Sequence, residues 1–517
     1  MTNRFVVLLG ILVLPAGLAL GQDARGVLQA AARTMGADDM ETIQISGTGW
    51  IANVGQAYSV GEDWPRYEVT DYTRIIDYDA GYSREDLTRQ RGSYPDRGGG
   101  RPFQGEQLIT EILNGDYAWN IVGDRPVPQT RFYLDGVPVA DFRKLDILLT
   151  PHGFLKAALE SDAEALSLTI AGASNGGLTQ DGGQVTIISF LAHGKYRVNG
   201  TINEQNLVEL VTTWYPNPVY GDMLFEMRYT QYQDFGGVMF PTVMHEHQGD
   251  PVLNPAHNSM EIRVTDIQVN NSVTEMAVPR AIQQAAVPPV NVESERLAVG
   301  VWRLAGSSHH SIVVEFNDFV AVIEAPQNEA RSLAVIEETG RLVPGKPIRY
   351  IVNTHHHFDH SGGLRTYLAQ GATVVTHQGN RDYYQDVMFH PAPRTLSPDR
   401  LDKFYPMFTA SRRPAPIEAV NQKYVVSDGD RTLEIHPVQG LGHAQNMVMV
   451  YLPGERILVN ADLYTPPAPG AQAAPTPNML SLYRNMQRLK LDVVQHVPLH
   501  GGVGTNEQFL RLMDEAS

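Results

Sequence analysis

Residues 353–363 place four side chains of metal-binding types within six positions. These are His355, His357, Asp359 and His360. A strand-like backbone points residues two positions apart in the same direction, so His355 and His357 can reach one common point. Asp359 and His360 follow on a turn and can face a second point nearby. Because the chain has no cysteine, any metal must be held by histidines and carboxylates, and this cluster predicts such a site.

The elements around this cluster are a buried strand before it and a helix after it. Residues 348–353 form a short apolar run, and residues 364–369 have a helical pattern. Open α/β sheets place their sites at the carboxyl ends of strands, and the cluster lies at such an end. Gly362 and Gly363 allow a tight turn there. A surface histidine tract is the alternative, but this cluster is internal and follows an apolar strand. His356 would point away from its neighbours, and we interpret it as supporting the site.

Strand patterns alternate with helix patterns throughout the second half of the chain, from about residue 290 to residue 517. Strands are predicted in a hairpin at 312–325 and at 348–353, 373–376, 447–452, 457–461 and 493–498. Helices are predicted at 329–337, 364–369 and 479–489. This alternation indicates layered α/β structure.

Three further segments add ligand-type residues in a fixed order after the first cluster. They are the turn Gly440-Leu441-Gly442-His443, the strand 457–461 followed by Asp462, and a late strand followed by His500. Together with His355-x-His357-x-Asp359-His360, they resemble the metallo-β-lactamase superfamily in order and type. The resemblance covers roughly residues 290–517 and implies an αββα sandwich there.

The resemblance also implies a role for each ligand-type residue. One metal ion would be held by His355, His357 and His443, a second by Asp359, His360 and His500, and Asp462 would bridge the two. Two zinc ions are expected, and iron or manganese would also fit such a set. A bridging water would be acidified and attack as metal-bound hydroxide, with Asp359 orienting it and moving its proton. The expected activity is that of a metal-dependent hydrolase.

Asp462 separates this chain from the dedicated β-lactamases of the superfamily, which usually carry cysteine or serine at that place. A bridging aspartate is more similar to glyoxalase II, lactonases and phosphodiesterases of the same fold. The expected substrates are therefore esters, lactones, thioesters or amides, while β-lactams, phosphodiesters and sulfate esters stay as alternatives. Diiron flavoproteins of the fold carry glutamate where His357 stands, which disfavours a redox role.

Three residues near the cluster are candidates for contact with substrate. His309 and His310 precede an apolar strand, and because early loops of this fold flank the pocket, we expect the pair to bind substrate. A surface or capped pair is the alternative. Tyr464 follows Asp462 closely, and we expect its hydroxyl to act in catalysis by stabilising a developing oxyanion, as in similar lactonases. Packing, or a place at the rim of the site, is the alternative for Tyr464.

The first region, residues 22–279, is predicted to be a mainly antiparallel β domain. A helical pattern at 24–35 is followed by strand patterns such as 43–49, 207–215 and 223–232. This arrangement faintly resembles periplasmic lipoprotein carriers. The resemblance implies a sheet that binds an apolar ligand, forms a homo-oligomer or covers the metal site.

One motif of the first region has ligand types at strand spacing. It is His245-Glu246-His247, which lacks a third partner nearby in the sequence. A proline-containing linker at 280–295 follows the β domain, and the catalytic domain is assigned to residues 296–517.

Charge and the N-terminus limit the partners and the location of the protein. A net charge of −17 disfavours nucleic acid and anionic lipid, so a small-molecule substrate is expected. Residues 1–21 have the form of a cleaved signal peptide, because Arg4 precedes an apolar run that ends at Pro15. That run is too short for a stable membrane span, and we expect a periplasmic or secreted protein. The alternative of another class is a periplasmic lipid- or ligand-binding protein whose metal site is structural.

Overall fold

The computed structural model describes residues 23–132, 136–170, 183–306, 308–389, 393–406, 413–468 and 474–514. The predicted signal peptide, residues 1–21, lies outside the described residues. Within the described ranges, no helix combines the length and the apolar character that crossing a bilayer requires.

The first domain is built on one antiparallel sheet of 13 strands. The strands follow each other in the order β6-β5-β4-β3-β2-β1-β13-β12-β11-β10-β9-β8-β7, so the first and last strands of the domain pair at the middle. Their bounds are β1 Thr42–Ala52, β2 Arg66–Asp77, β3 Tyr82–Gln90, β4 Glu106–Asn114, β5 Tyr117–Val122, β6 Arg125–Pro128, β7 Glu164–Ile170, β8 Gly183–Ala192, β9 Tyr196–Ile202, β10 Val208–Asn217, β11 Gly221–Asp234, β12 Met239–Gln248 and β13 His257–Val269. The predicted strands at 43–49, 207–215 and 223–232 are confirmed by β1, β10 and β11.

Three helices pack with this sheet into one apolar core. They are α1 Ala24–Met35, α2 Val139–Leu148 and α3 Pro151–Leu159. Helix α1 coincides with the predicted helix at 24–35. It begins where the Asp23 side chain accepts a hydrogen bond from the Arg25 amide, and it ends at Gly36, whose φ of 68° suits a left-handed cap.

The second domain contains two further sheets. The seven-stranded sheet, in spatial order, consists of β14 Glu293–Ala298, β15 Val301–Gly306, β16 His309–Glu315, β17 Val320–Ile323, β18 Ile348–Val352, β19 Thr373–His377 and β20 Ile417–Val420. The six-stranded sheet consists of β21 Tyr424–Ser427, β22 Thr432–Pro437, β23 Val448–Leu452, β24 Ile457–Asn460, β25 Gln495–Pro498 and β26 Gly504–Thr505. The predicted strands of this half correspond to β16 to β19 and β23 to β25.

The two sheets pack face to face with helices on the outside. Buried side chains from both sheets, such as Val314 and Val450, belong to one apolar cluster. In the described part of this half the α-helices are α5 Glu329–Leu342, α6 Phe358–Ser361, α7 Leu364–Ala369, α8 Arg381–Tyr383, α9 Arg400–Phe404, α10 Pro477–Leu489 and α11 Asn506–Asp514. A 3-10 helix, Gln378–Asn380, precedes α8, and a π-helix, Tyr384–Met388, follows it. Helices α5 and α7 cover the outer face of the seven-stranded sheet, and α10 and α11 cover the six-stranded sheet. The layered α/β arrangement is confirmed.

The segment between the domains contains regular structure at both ends. A short helix, α4 Arg280–Gln283, buries Ile282, and β14 begins at Glu293 as the edge strand of the second domain. The exact boundaries at 279 and 296 stay predictions. The domains also contact each other directly, because Arg394 donates to the carbonyls of Asn217, Pro218 and Val219.

Candidate metal centre

The predicted ligands come from strand ends of both sheets of the second domain. His355 and His357 follow β18, while Asp359 and His360 lie in α6. The other three lie in loops of the six-stranded sheet: His443 between β22 and β23, Asp462 after β24, and His500 after β25. The two sheets therefore contribute to one site at the same end of the sandwich.

Two local backbone features bring these ends close together. A Cβ atom on Gly362 would lie 1.9 Å from the Gln327 carbonyl oxygen, so only glycine permits the close approach beneath α6. Asp462 has a φ of 55°, a backbone conformation that residues other than glycine rarely adopt. A rare backbone conformation at a ligand position is typical of functional sites.

Three imidazole nitrogens converge in the first group of ligands. His355 Nε2 lies 2.9 Å from His357 Nδ1 and 3.4 Å from His443 Nε2. All three side chains are buried. Ligand atoms of a tetrahedral zinc site, each about 2 Å from the ion, lie at comparable separations from one another.

The second group gathers around His360 and His500, whose Nε2 atoms lie 2.9 Å apart. Asp462 lies between the groups. Its Oδ2 atom is 3.0 Å from His360 Nε2 and 3.5 Å from His355 Nε2, while its Oδ1 is 3.2 Å from His500 Nε2. Asp359 Oδ2 is 3.8 Å from His360 Nε2. One carboxylate thus contacts both groups, which is the position of a bridging ligand.

In three of the histidine rings, one nitrogen points away from the cluster and makes a hydrogen bond. That bond determines which of the two ring nitrogens carries the proton. His357 Nε2 donates to the Ala57 carbonyl at 2.9 Å, and His500 Nδ1 donates to the Ser308 carbonyl at 3.0 Å. His355 Nδ1 lies 3.0 Å from the Thr354 hydroxyl, which itself donates to Glu324 and so accepts from the ring. The lone pairs of the inner nitrogens therefore point into the site, as metal-binding imidazoles require.

The pKa values of the clustered histidines are those expected of metal ligands around a positively charged centre. Burial, together with the neighbouring imidazoles, holds the pKa of His355 and His357 well below the ordinary value, and burial lowers the pKa of His500 to about 4. These rings are therefore neutral. For His360, burial opposes the charge, but Asp462 and Asp359 raise its pKa well above the ordinary value. The carboxylates thus favour positive charge at the place where a divalent ion would supply it.

Glu324 is a supporting residue that the sequence reasoning missed. It is fully buried directly after β17, and its Oε2 accepts a hydrogen bond from His360 Nδ1 at 3.0 Å. Its Oε1 accepts from Asn353 Nδ2 at 3.0 Å. A carboxylate behind a ligand histidine orients the ring and strengthens it as a ligand. The sequence did contain a signal for Glu324, because an acidic residue at the end of an apolar, buried run is unusual.

A loop of the first domain forms part of the same site. Gln56 Nε2 donates to Asp359 Oδ1 at 2.8 Å, and the Ala57 carbonyl also accepts from His356 Nε2 at 3.0 Å. Gly55 has a φ of 77°, and a Cβ atom on this residue would clash with the Phe358 ring. The position therefore requires glycine. The prediction for His356, a supporting residue that points away from the ligands, agrees with this bond. No local pattern in the sequence indicated Gln56.

His309 and His310 lie in different surroundings. His309 Nε2 donates to Asp359 Oδ2 at 3.1 Å, and its ring centroid is 4.0 Å from that of His500, so His309 lies against the second ligand group. His310 is buried, and its Nδ1 accepts from the Gly306 amide. Burial, reinforced by Arg303, lowers the pKa of His310 to about 4. The structure thus buries His310, and its contact with substrate stays a prediction.

Tyr464 is likewise located away from the ligands. Its side chain is 2% exposed, and its ring packs against His496 and Phe509 at centroid distances of 5.3 and 4.8 Å. The backbone turns at Asp462, so the residue two positions later enters the core. The structure packs the Tyr464 ring into the core, and its catalytic role stays a prediction.

The family comparison covers the part of the chain that holds these ligands. Residues 304–493 match the family model for the metallo-beta-lactamase superfamily, and the C-terminal half has the metallo-β-lactamase fold. A search of the curated proteins finds no match to the chain.

Solved structures similar to this chain include three metallo-beta-lactamases. The protein from Pontibacter korlensis is 20% identical with a TM-score of 0.32, and the alignment covers 43% of this chain and 99% of that one. A protein from Pseudomonas aeruginosa, solved in a mono-zinc form, is 20% identical with a TM-score of 0.31, covering 44% and 98%. The protein from Hirschia baltica is 18% identical with a TM-score of 0.31, covering 43% and 95%.

The donor set fits divalent metal ions. The inner atoms are imidazole nitrogens and carboxylate oxygens, which are ligands that zinc accepts in hydrolytic sites. Two groups share one carboxylate, so the residues can hold two neighbouring ions.

Proposed function

We propose that this protein is a hydrolase that uses two divalent metal ions to cleave a small-molecule ester, lactone, thioester or amide. The proposed ligands are His355, His357 and His443 for one ion, Asp359, His360 and His500 for the other, and Asp462 for both. The observation that carries the proposal is Asp462, whose two oxygens contact both ligand groups. Export through the predicted signal peptide is part of the same proposal.

Bound ions would supply Lewis acidity, which makes water easier to deprotonate and polarises the oxygen of the scissile bond. Asp359 is placed to orient that water and to receive its proton. Burial opposes ionisation, but His360 and the hydrogen bond from His309 hold the pKa of Asp359 below its ordinary range. Gln56 and His309 each donate to one oxygen of Asp359, so the carboxylate is fixed before substrate arrives.

The ligand chemistry and the surface charge support the choice of substrate class. Asp462 stands where dedicated β-lactamases of this fold usually carry cysteine or serine, and the chain has no cysteine at all. A net charge of −17 disfavours nucleic-acid phosphodiesters, because a polyanion would be repelled. Uncharged acyl compounds are therefore the favoured substrates.

The experiment is a panel of four substrates tested on purified, zinc-loaded protein. The panel contains a nitrophenyl ester, a lactone, nitrocefin and bis-nitrophenyl phosphate. We expect turnover of the ester or the lactone, and loss of that turnover in His355→Ala and Asp359→Ala. His193→Ala is the matched control, because His193 is exposed on a turn of the first domain. Bound zinc without turnover of any compound would reject the hydrolase and favour a binding protein with a structural metal site.

A further inference from the structure

A second histidine cluster lies on the sheet of the first domain, at the motif His245-Glu246-His247. In β12 the two histidines alternate with Glu246, so both point to the same face of the sheet. Asn258 of the neighbouring strand β13 is paired directly with His247. The sequence showed no third ligand near this pair, and the pairing of β12 with β13 supplies one.

Three polar atoms converge at this place. His245 Nε2 and His247 Nε2 lie 3.0 Å apart, and Asn258 Oδ1 lies 2.9 Å from the first and 2.8 Å from the second. An ion placed above such a triangle lies about 2 Å from all three atoms, which is an ordinary bond length for zinc.

Carboxylates occupy the other side of both rings. His247 Nδ1 lies 3.1 Å from Glu226 Oε1, and His245 Nδ1 lies 3.3 Å from Glu261 Oε2. A carboxylate accepts hydrogen bonds, so the bond at His247 Nδ1 leaves the lone pair of His247 Nε2 pointing into the triangle, while Glu261 lies at ion-pair distance from His245 Nδ1. This arrangement of carboxylate, histidine and metal is typical of metal sites in proteins.

We propose that His245, His247 and Asn258 bind a divalent transition-metal ion of the zinc or copper type, separate from the two ions of the candidate metal centre. Imidazole is a ligand that both metals prefer. The side chains of His245 and His247 are 22% and 29% exposed, so water completes the coordination from the solvent side. The site joins two adjacent strands and is independent of the proposed hydrolase activity.

The short distances between His245, His247 and Asn258 would also be explained by a different orientation of the Asn258 carboxamide. If the carboxamide were rotated by half a turn, Nδ2 would donate to both Nε2 atoms, and the triangle would need no ion. In the structure Nδ2 instead lies 3.4 Å from Asp63 Oδ2, which favours the orientation with Oδ1 in the triangle.

The test counts zinc bound to the metal-stripped full chain by equilibrium dialysis. We expect the wild-type protein to bind one equivalent more than His247→Ala, and His193→Ala to bind as much as the wild type. Hydrolysis of the panel substrates should be unchanged in His247→Ala. Equal zinc binding by His247→Ala and the wild type would overturn the proposal. Because the count is a difference between variants, it stands whether or not the candidate metal centre binds zinc.

A second pair of variants keeps the test valid if His247→Ala unfolds. Asn258→Asp replaces the carboxamide oxygen by a charged oxygen and should tighten zinc binding at this site, whereas Asn258→Leu should weaken it. Copper gives an independent signal, because the Trp50 ring lies 5.9 Å from the His245 ring and Cu²⁺ bound there should quench its fluorescence. Quenching that is as strong in Trp50→Phe, or zinc binding that is the same in both Asn258 variants, would contradict the assignment.

Discussion

The Gln56 side chain donates a hydrogen bond from Nε2 to Oδ1 of Asp359 at 2.8 Å, joining residues 303 positions apart in the chain. Through this bond a loop of the β domain holds a proposed metal ligand of the other domain. The adjacent Ala57 carbonyl does the same for His357. The first domain is therefore a structural part of the candidate site.

The Gln56→Ala variant tests this dependence. Loss of a residue that orients a ligand typically costs about 10- to 100-fold in activity or metal affinity, and we expect a loss in that range in kcat/KM. Gln56→Glu should be more harmful, because it places a like charge beside Asp359. Steady-state kinetics and zinc affinity measure both effects. Gln129→Ala is the control, since the Gln129 side chain donates to the nearby Val127 carbonyl in the first domain. Equal kinetics in all three variants would show that Gln56 positions nothing.

The adjacent residues His309 and His310 should differ in the effect of substitution. His309→Ala removes a donor to Asp359, so we expect a loss of kcat of ~10-fold or more with little change in Tm. His310→Ala empties a buried position, so we expect a Tm lower by several degrees and nearly normal kcat in the folded protein. Kinetics and thermal unfolding of both variants separate the two roles. The reverse pattern would refute the assignment.

The Tyr464→Phe substitution should have little effect on kcat. The Tyr464 ring packs against Phe509 and its hydroxyl is buried, so we expect kcat within about twofold of the wild type. The measurement is kcat on the best panel substrate, with Tm as a check on folding. A large loss of kcat at an unchanged Tm would mean that the hydroxyl reaches the substrate after all.

Glu246 should make the stability of the protein depend on pH. Burial raises the pKa of Glu246 to about 7, against hydrogen bonds from Ser259 and Gln248, so the folded state holds a proton that the unfolded state releases near pH 4.5. Its unfavourable contribution is therefore absent at pH 4.5, grows as pH rises toward 7, and is complete above that. Glu246→Gln should raise Tm at pH 8 and change it little at pH 5. The exposed Glu106→Gln is the control, and a pH-independent difference would contradict the prediction.

The proposed ligands could be predicted from the sequence because each occurs in a short local pattern at the end of a strand. His355, His357, Asp359 and His360 lie within a few positions of one another, so their types and spacing are visible without knowledge of distant residues. Gln56 could not be predicted, because its role exists only when two domains pack together. The packing of Tyr464 in the core could not be predicted, because proximity to Asp462 in the sequence says nothing of the turn that the backbone makes there. Asn258 joins His247 only through the register between two strands.

The most direct test of the proposed hydrolase is a titration. Zinc is added stepwise to the metal-stripped protein, and turnover of the best panel substrate is measured after each addition. The experiment is best done in the His247→Ala background, which leaves only the candidate metal centre among the sites proposed. We predict that turnover rises with added zinc, reaches a plateau at two equivalents and is lost in Asp359→Ala. Full zinc occupancy without turnover, or turnover that is unchanged in Asp359→Ala, would contradict the account.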